Sequence, residues 1–113
     1  MTIDALAKKA GARILVRGRA SKTEITTIYA SDRMSVLLSQ VSDSTLLITP
    51  LVSSSAVRLV ELMDIPAICL LNGVEPSETL LAAAKEHRTT LLVSPDDLDE
   101  TCRRFSEALG IEP

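Results

Sequence analysis

The chain has 113 residues, 46% of them apolar and 24% charged, and its 12 basic and 15 acidic side chains leave a formal net charge of −3. That is the size of one domain, 1–113, able to bury a core without disulfide or metal. A mean hydropathy of +0.24 with abundant Leu, Ile and Val excludes an intrinsically disordered chain.

Thr2 can cap a first helix in which Ile3, Leu6, Ala7 and Ala10 share one face. Asp4 sits near its positive end, Lys8 and Lys9 near its negative end, and Gly11 follows the last turn. Arg13 to Arg17 then has the character of a short strand, Gly18 to Glu24 that of an exposed loop, and Ile25 to Tyr29 that of a second strand. Ser31 and Asp32 are placed to cap a helix containing Met34, Leu37 and Leu38.

From there the pattern is regular. Three apolar, β-rich runs begin at Thr45, Ala67 and Thr89, 22 residues apart, and each leads into a helical pattern. Ser55 to Met63 places Ala56, Leu59, Val60 and Met63 on one face, and Ser77 to His87 turns Leu80, Leu81 and Ala84 inward. Before the last helix, Ser94 is the expected N-cap, with Pro95 at the first helical position and Asp97 closing a capping box. Leu98, Cys102, Phe105 and Leu109 form its apolar stripe, and Gly110 ends it. Strands that are apolar throughout are covered on both faces, and connections of this length hold crossover helices. The expected architecture is α/β, a single compact domain with a mainly parallel sheet and flanking helices.

Several function classes fall away. Cys69 and Cys102, 33 positions apart in apolar runs, match neither zinc nor redox spacing and read as buried small hydrophobes. Asp4 precedes Lys8 and Lys9, the reverse of a basic leader followed by an apolar stretch, so a cytoplasmic protein is expected. Arg58, Glu61 and Asp64 interrupt the most apolar segment, which argues against membrane insertion. With only two aromatics, Tyr29 and Phe105, and no long Lys/Arg run, a nucleic-acid groove is not expected. Arg13, Arg17, Arg19, Arg103 and Arg104 read as solvated flanks. The lone His87 ends a helix, where a cation is favourable, and no nucleophile motif accompanies it. Asp32, Asp96 and Asp97 could share an edge as Mg²⁺ ligands, but no Lys follows the last strand to meet a phosphoryl group, and helix capping explains Asp96 and Asp97.

Ligands of open parallel sheets lie beyond the carboxyl ends of the strands, which directs attention to Thr49 and the loops after it. Ser53, Ser54 and Ser55 open a helix. Their hydroxyls, with free N–H groups and the helix dipole, suit a phosphate or carboxylate, and equally serve as caps. Asn72 and Gly73 either admit a ligand close to the backbone or form a plain turn. Asp32 and Arg33 either hold a polar ligand or belong to a helix start. The candidate ligand-binding residues are thus Asp32, Arg33, Thr49, Ser53, Ser54, Ser55, Asn72 and Gly73, with no catalytic or metal set and no cofactor named.

Tyr29-Ala-Ser-Asp-Arg-Met-Ser-Val-Leu-Leu38, Thr45-Leu-Leu-Ile-Thr-Pro50, Val60-Glu-Leu-Met-Asp-Ile-Pro-Ala-Ile68, Asn72-Gly-Val-Glu-Pro-Ser77 and Leu91-Leu-Val-Ser-Pro95 together resemble the DRTGG domain family. Such domains accompany phosphotransacetylases and CBS-type pyrophosphatases, resemble the N-terminal domain of HPr kinase, and occur as small stand-alone proteins, some associated with iron-only hydrogenases. Tyr29 to Ile68 is most similar to the stand-alone group. The resemblance implies a self-associating α/β domain with a regulatory or ligand-binding role and no established chemistry. The family's Gly-Asp-Arg-like turn is replaced here around Leu51-Val52-Ser53, and its Thr-Gly-Gly-like turn is reduced to Asn72-Gly73. Two functions follow as expectations. One is a non-catalytic regulatory module, a homodimer that binds a small anionic ligand such as a nucleotide. The other is an adaptor that docks a partner enzyme, for example a hydrogenase-associated one, without any ligand.

Overall fold

The structure, a computed structural model, describes residues 2–18, 24–30, 44–50, 54–62 and 65–110. Helix α1 (Ile3–Ala10) starts where the Thr2 hydroxyl accepts the Ala5 N–H, and it ends at Gly11, whose φ of 75° lets its N–H turn back to the Ala7 carbonyl. Strand β1 (Arg13–Val16) follows directly, and β2 (Thr27–Ala30) comes after Ile25, which is fully buried. Three strand–helix units complete the described chain. They are β3 (Thr45–Ile48) with α2 (Ser54–Leu62), β4 (Ala67–Leu70) with α3 (Glu78–Glu86), and β5 (Thr90–Val93) with α4 (Leu98–Leu109). The runs that begin at Thr45, Ala67 and Thr89 are therefore the three central strands.

The five strands form one sheet in the order β1-β5-β4-β3-β2. β2, β3, β4 and β5 are parallel neighbours, while β1 lies antiparallel on β5 with Arg13 opposite Val93. Every residue of β3, β4 and β5 is buried, whereas β1 and β2, at the two ends of the sheet order, are partly exposed. This is the burial expected of a sheet covered on both faces.

Side-chain alternation divides the core in two. Leu46, Ile48, Ala67, Cys69 and Leu92 meet Ile3, Leu6, Ala7 and Ala10 of α1 and Phe105 of α4 on one face. Leu47, Ile68, Leu70, Leu91 and Val93 meet Ala56, Leu59 and Val60 of α2 and Leu80, Ala83 and Ala84 of α3 on the other. The result is three layers, helix, sheet and helix.

Two local expectations are corrected. The N-cap of α4 is Asp97, whose carboxylate accepts the Glu100 N–H at 2.9 Å, and the helix begins at Leu98. Ser94 lies before it, 1% exposed, and its hydroxyl accepts both the Asp96 N–H at 3.1 Å and the Thr101 hydroxyl at 2.8 Å. Both residue types are good caps, so local preference could not choose between them; burial of Ser94 at the end of β5 did. The inward face of α4 is accordingly more polar than its apolar stripe suggested. Thr101 and Ser106 are buried with Phe105, while Leu98, Cys102 and Leu109 are partly buried.

The second correction concerns Gly18, which is half-buried instead of exposed; residues 19–23 of the loop expected there lie outside the described residues. Its N–H donates to the Thr90 hydroxyl at 3.0 Å, and a Cβ built on it would stand 2.1 Å from the Arg88 carbonyl oxygen. The chain leaving β1 is thus pressed against the chain entering β5.

Candidate functional site

Because β2 to β5 run parallel, the residues that follow them emerge along one edge. Thr49 stands beyond β3, wholly buried, and its N–H donates to the Cys69 carbonyl at 3.1 Å. Asn72 and Gly73 follow β4, and Ser94 to Asp97 follow β5. Asn72 and Gly73 both adopt positive φ, 57° and 62°, and both are exposed. The Asn72 N–H donates to the Asp96 carbonyl and the Gly73 N–H to the Ser94 carbonyl, each at 2.8 Å. The β4–α3 turn is therefore tied to the β5–α4 loop by two main-chain bonds.

Of the sequence candidates, the structure places Thr49, Asn72 and Gly73 at this edge, with Thr49 beneath it and the other two on its surface. Ser54 and Ser55 form the first turn of α2, which follows β3 at the same edge. Asp32, Arg33 and Ser53 lie outside the described residues.

Sequence reasoning missed a contributor from β1. Since β1 is antiparallel, its first residue, Arg13, comes to the carboxyl end of β5 and not to the far edge. There Gly11, Arg13, Gly73, Val93 and Pro95 line a cavity of about 320 Å³. The order of strands, which no local pattern encodes, creates this meeting.

The charges around the edge are mostly paired. Arg104 Nε lies 3.2 Å from Asp96 Oδ2 and 3.3 Å from Glu100 Oε1. Asp96 Oδ2 is buried and that approach is off the line of a hydrogen bond, so it has a counter-charge without a donor. Arg103 bonds both Glu100 and Glu107 along α4, which holds the Glu100 carboxyl below its ordinary range. Arg17 pairs with Asp4. These are the solvated pairs expected of flanking arginines, and such exposed bridges add little stability. The Cys69 thiol is pushed up to about 12 by burial, and burial also raises Cys102; both cysteines are free. Among the described residues no three His, Cys, Asp or Glu side chains converge as metal ligands do, and no helix is long and apolar enough to cross a membrane.

Between α2 and α3, Val57, Ala82 and Ala83 floor a groove of about 520 Å³, rimmed by Glu61, Glu78 and Glu86. Leu62 at the end of α2 is 64% exposed, the one large apolar side chain so exposed among the described residues.

No protein-family model matches the sequence, and no curated protein matches it. The fold is shared with a solved structure, that of the CBS and DRTGG domains of the regulatory region of Clostridium perfringens pyrophosphatase complexed with its activator, diadenosine tetraphosphate. The TM-score is 0.81 at 17% identity, and the match covers 96% of this chain and 47% of that one. The chain thus spans about half the length of this neighbour. The α/β architecture expected from the residues and from the DRTGG resemblance is the architecture found.

Proposed function

We propose that the chain, as one DRTGG-like domain over 1–113, is a non-catalytic regulatory module that binds a small anionic ligand, a nucleotide, at the carboxyl edge of its parallel sheet. The observation that carries the reading is the fold shared with the regulatory region of a pyrophosphatase crystallised with a dinucleotide activator. The edge itself supports it: open parallel sheets take ligands beyond their strand ends, and a cavity of about 320 Å³ is present there, the lower end of ordinary small-molecule sites. In this proposal Asn72 and Gly73 touch the ligand, Ser53, Ser54 and Ser55 offer the start of α2, Asp32 and Arg33 join from the segment after β2, and Thr49 supports the edge from below. The protein works in the cytoplasm as a homodimer, in the manner of the stand-alone, hydrogenase-associated members that the sequence resembles.

Calorimetric titration with ATP and with diadenosine tetraphosphate tests this, together with phosphorus NMR of the same samples. Saturable binding with both compounds intact is the expected result. Hydrolysis or phosphoryl transfer refutes the non-catalytic reading, and no heat at millimolar ligand refutes the nucleotide reading. The joint substitution of Ser53→Glu and Ser55→Glu weakens binding by charge repulsion if the α2 start takes part.

One observation favours a second reading, an adaptor that docks a partner enzyme without any ligand: exposed Leu62, which lines a hollow on α2 with Val57, Arg58 and Glu61. Leu62→Lys separates the two, since it blocks such docking and leaves nucleotide binding at the opposite edge unchanged.

A further inference from the structure

The two backbone N–H groups best placed to meet an anion at the turn after β4 are already used. That of Asn72 donates to Asp96 and that of Gly73 to Ser94. An anion at this corner therefore needs a cationic side chain. The acid nearest the corner, Asp96, is matched by Arg104 at 3.2 Å. Arg13 is exposed, stands opposite Val93 at the end of the sheet, and lines the cavity with Gly11, Gly73, Val93 and Pro95. No carboxylate of the described residues pairs with it, in contrast to Arg17, Arg103 and Arg104. The wall at Gly73 leaves room, since even a Cβ there would meet nothing within 4 Å, whereas at Gly11 a Cβ would stand 3.2 Å from the Arg104 guanidinium, which is engaged by Asp96 and Glu100.

We infer that Arg13, delivered to the carboxyl edge by the antiparallel first strand, is the anion-binding side chain of this site and takes a phosphate of the bound nucleotide. The inference rests on the functional reading above and adds to it a residue from outside the parallel units. A guanidinium presents paired N–H donors that match two phosphate oxygens, which a lysine ammonium does not reproduce. Val93 and Pro95 line the cavity beside it and offer apolar contact to the rest of the ligand.

The test is calorimetric titration of ATP into wild-type protein, R13Q, R13K and R58Q, with folding of each checked by circular dichroism. Arg58 lies on α2 beside Glu61 and Leu62, away from the cavity. The expected result is a loss of roughly ten- to a hundredfold in affinity for R13Q, the range for a hydrogen bond to a charged group. R13K recovers part of the loss and R58Q behaves as wild type. In wild-type protein, NMR signals of Arg13 Nε–H and of the Gly11 and Gly73 amides move on the same titration, a readout that needs no variant. Wild-type affinity in R13Q, or movement elsewhere only, overturns this inference and leaves the nucleotide reading standing. Absence of ATP binding by the wild-type protein overturns both.

Discussion

Gly18→Ala is the most informative test of the packing that holds β1 against β5. The new Cβ would lie 2.1 Å from the Arg88 carbonyl oxygen, 2.6 Å from the Arg88 carbonyl carbon and 2.7 Å from the Thr89 carbonyl carbon. All three are backbone atoms, so no side chain can swing aside, and the two segments must separate by about 1 Å. Overpacking of this kind costs about 1–3 kcal/mol. Separation also stretches the 3.0 Å bond from the Gly18 N–H to the Thr90 hydroxyl, which adds about 0.5–1.5 kcal/mol. The expected loss is about 2–4 kcal/mol, a large share of the stability of a domain this size. In thermal unfolding followed by far-ultraviolet circular dichroism, the midpoint falls by roughly 10 °C or more. Gly73→Ala is the control. Its Cβ meets nothing within 4 Å and only the φ of 62° opposes it, so it loses about 1 kcal/mol. Equal losses for the two variants, or the reverse order, refute the close approach of β1 to the start of β5.

Three further outcomes follow from the same structure. Ser94→Ala removes the acceptor of both the Thr101 hydroxyl and the Asp96 N–H at a buried position, and should cost about 1–3 kcal/mol in urea unfolding; Asp97→Ala removes an exposed cap bond and should cost about 1 kcal/mol. Phe105→Ala empties the largest fully buried side chain of the face shared by α1 and α4, with an expected loss of about 3–5 kcal/mol by the same assay. Cys69, whose thiol is raised to about 12 by burial, should resist a thiol reagent at pH 8 until denaturant is added. Its unfolded form releases the proton first, near the ordinary value of about 8.5, so its contribution to stability is complete below that pH and declines as pH rises toward 12. Prompt labelling of Cys69 in native protein contradicts its burial.

The central strands were legible because Thr45–Ile48, Ala67–Leu70 and Thr90–Val93 are each apolar on both faces and each followed by a helical period, a signal carried within about 20 residues. The α1 boundaries were equally plain, since Thr2 and Gly11 act through bonds to their own helix. What stayed hidden depends on partners distant in sequence. Arg13 reads locally as one solvated arginine among several, and only the pairing of β1 with β5 brings it to the carboxyl end of β5. Gly18 looked like loop until Arg88 was found against it, 70 positions later. Ser94 and Asp97 are interchangeable as caps in a local reading, and only burial by the neighbouring sheet separates them. Of the candidate site, the edge itself was predictable from parallel topology. Which groups there remain free to bind was not, because the Asn72 and Gly73 N–H groups are consumed by the adjacent loop.

The proposed binding of a nucleotide at the carboxyl edge, without turnover, can be followed residue by residue. The most direct measurement is a two-dimensional amide NMR titration of the isotopically labelled chain with diadenosine tetraphosphate, with phosphorus spectra recorded in parallel. Saturable shifts are expected at Gly11, Arg13, Asn72, Gly73, Ser94, Asp96 and Asp97, with little change around Leu62 and an intact ligand at the end. Shifts confined to the groove between α2 and α3, no shifts at millimolar ligand, or cleavage of the ligand would contradict the proposal.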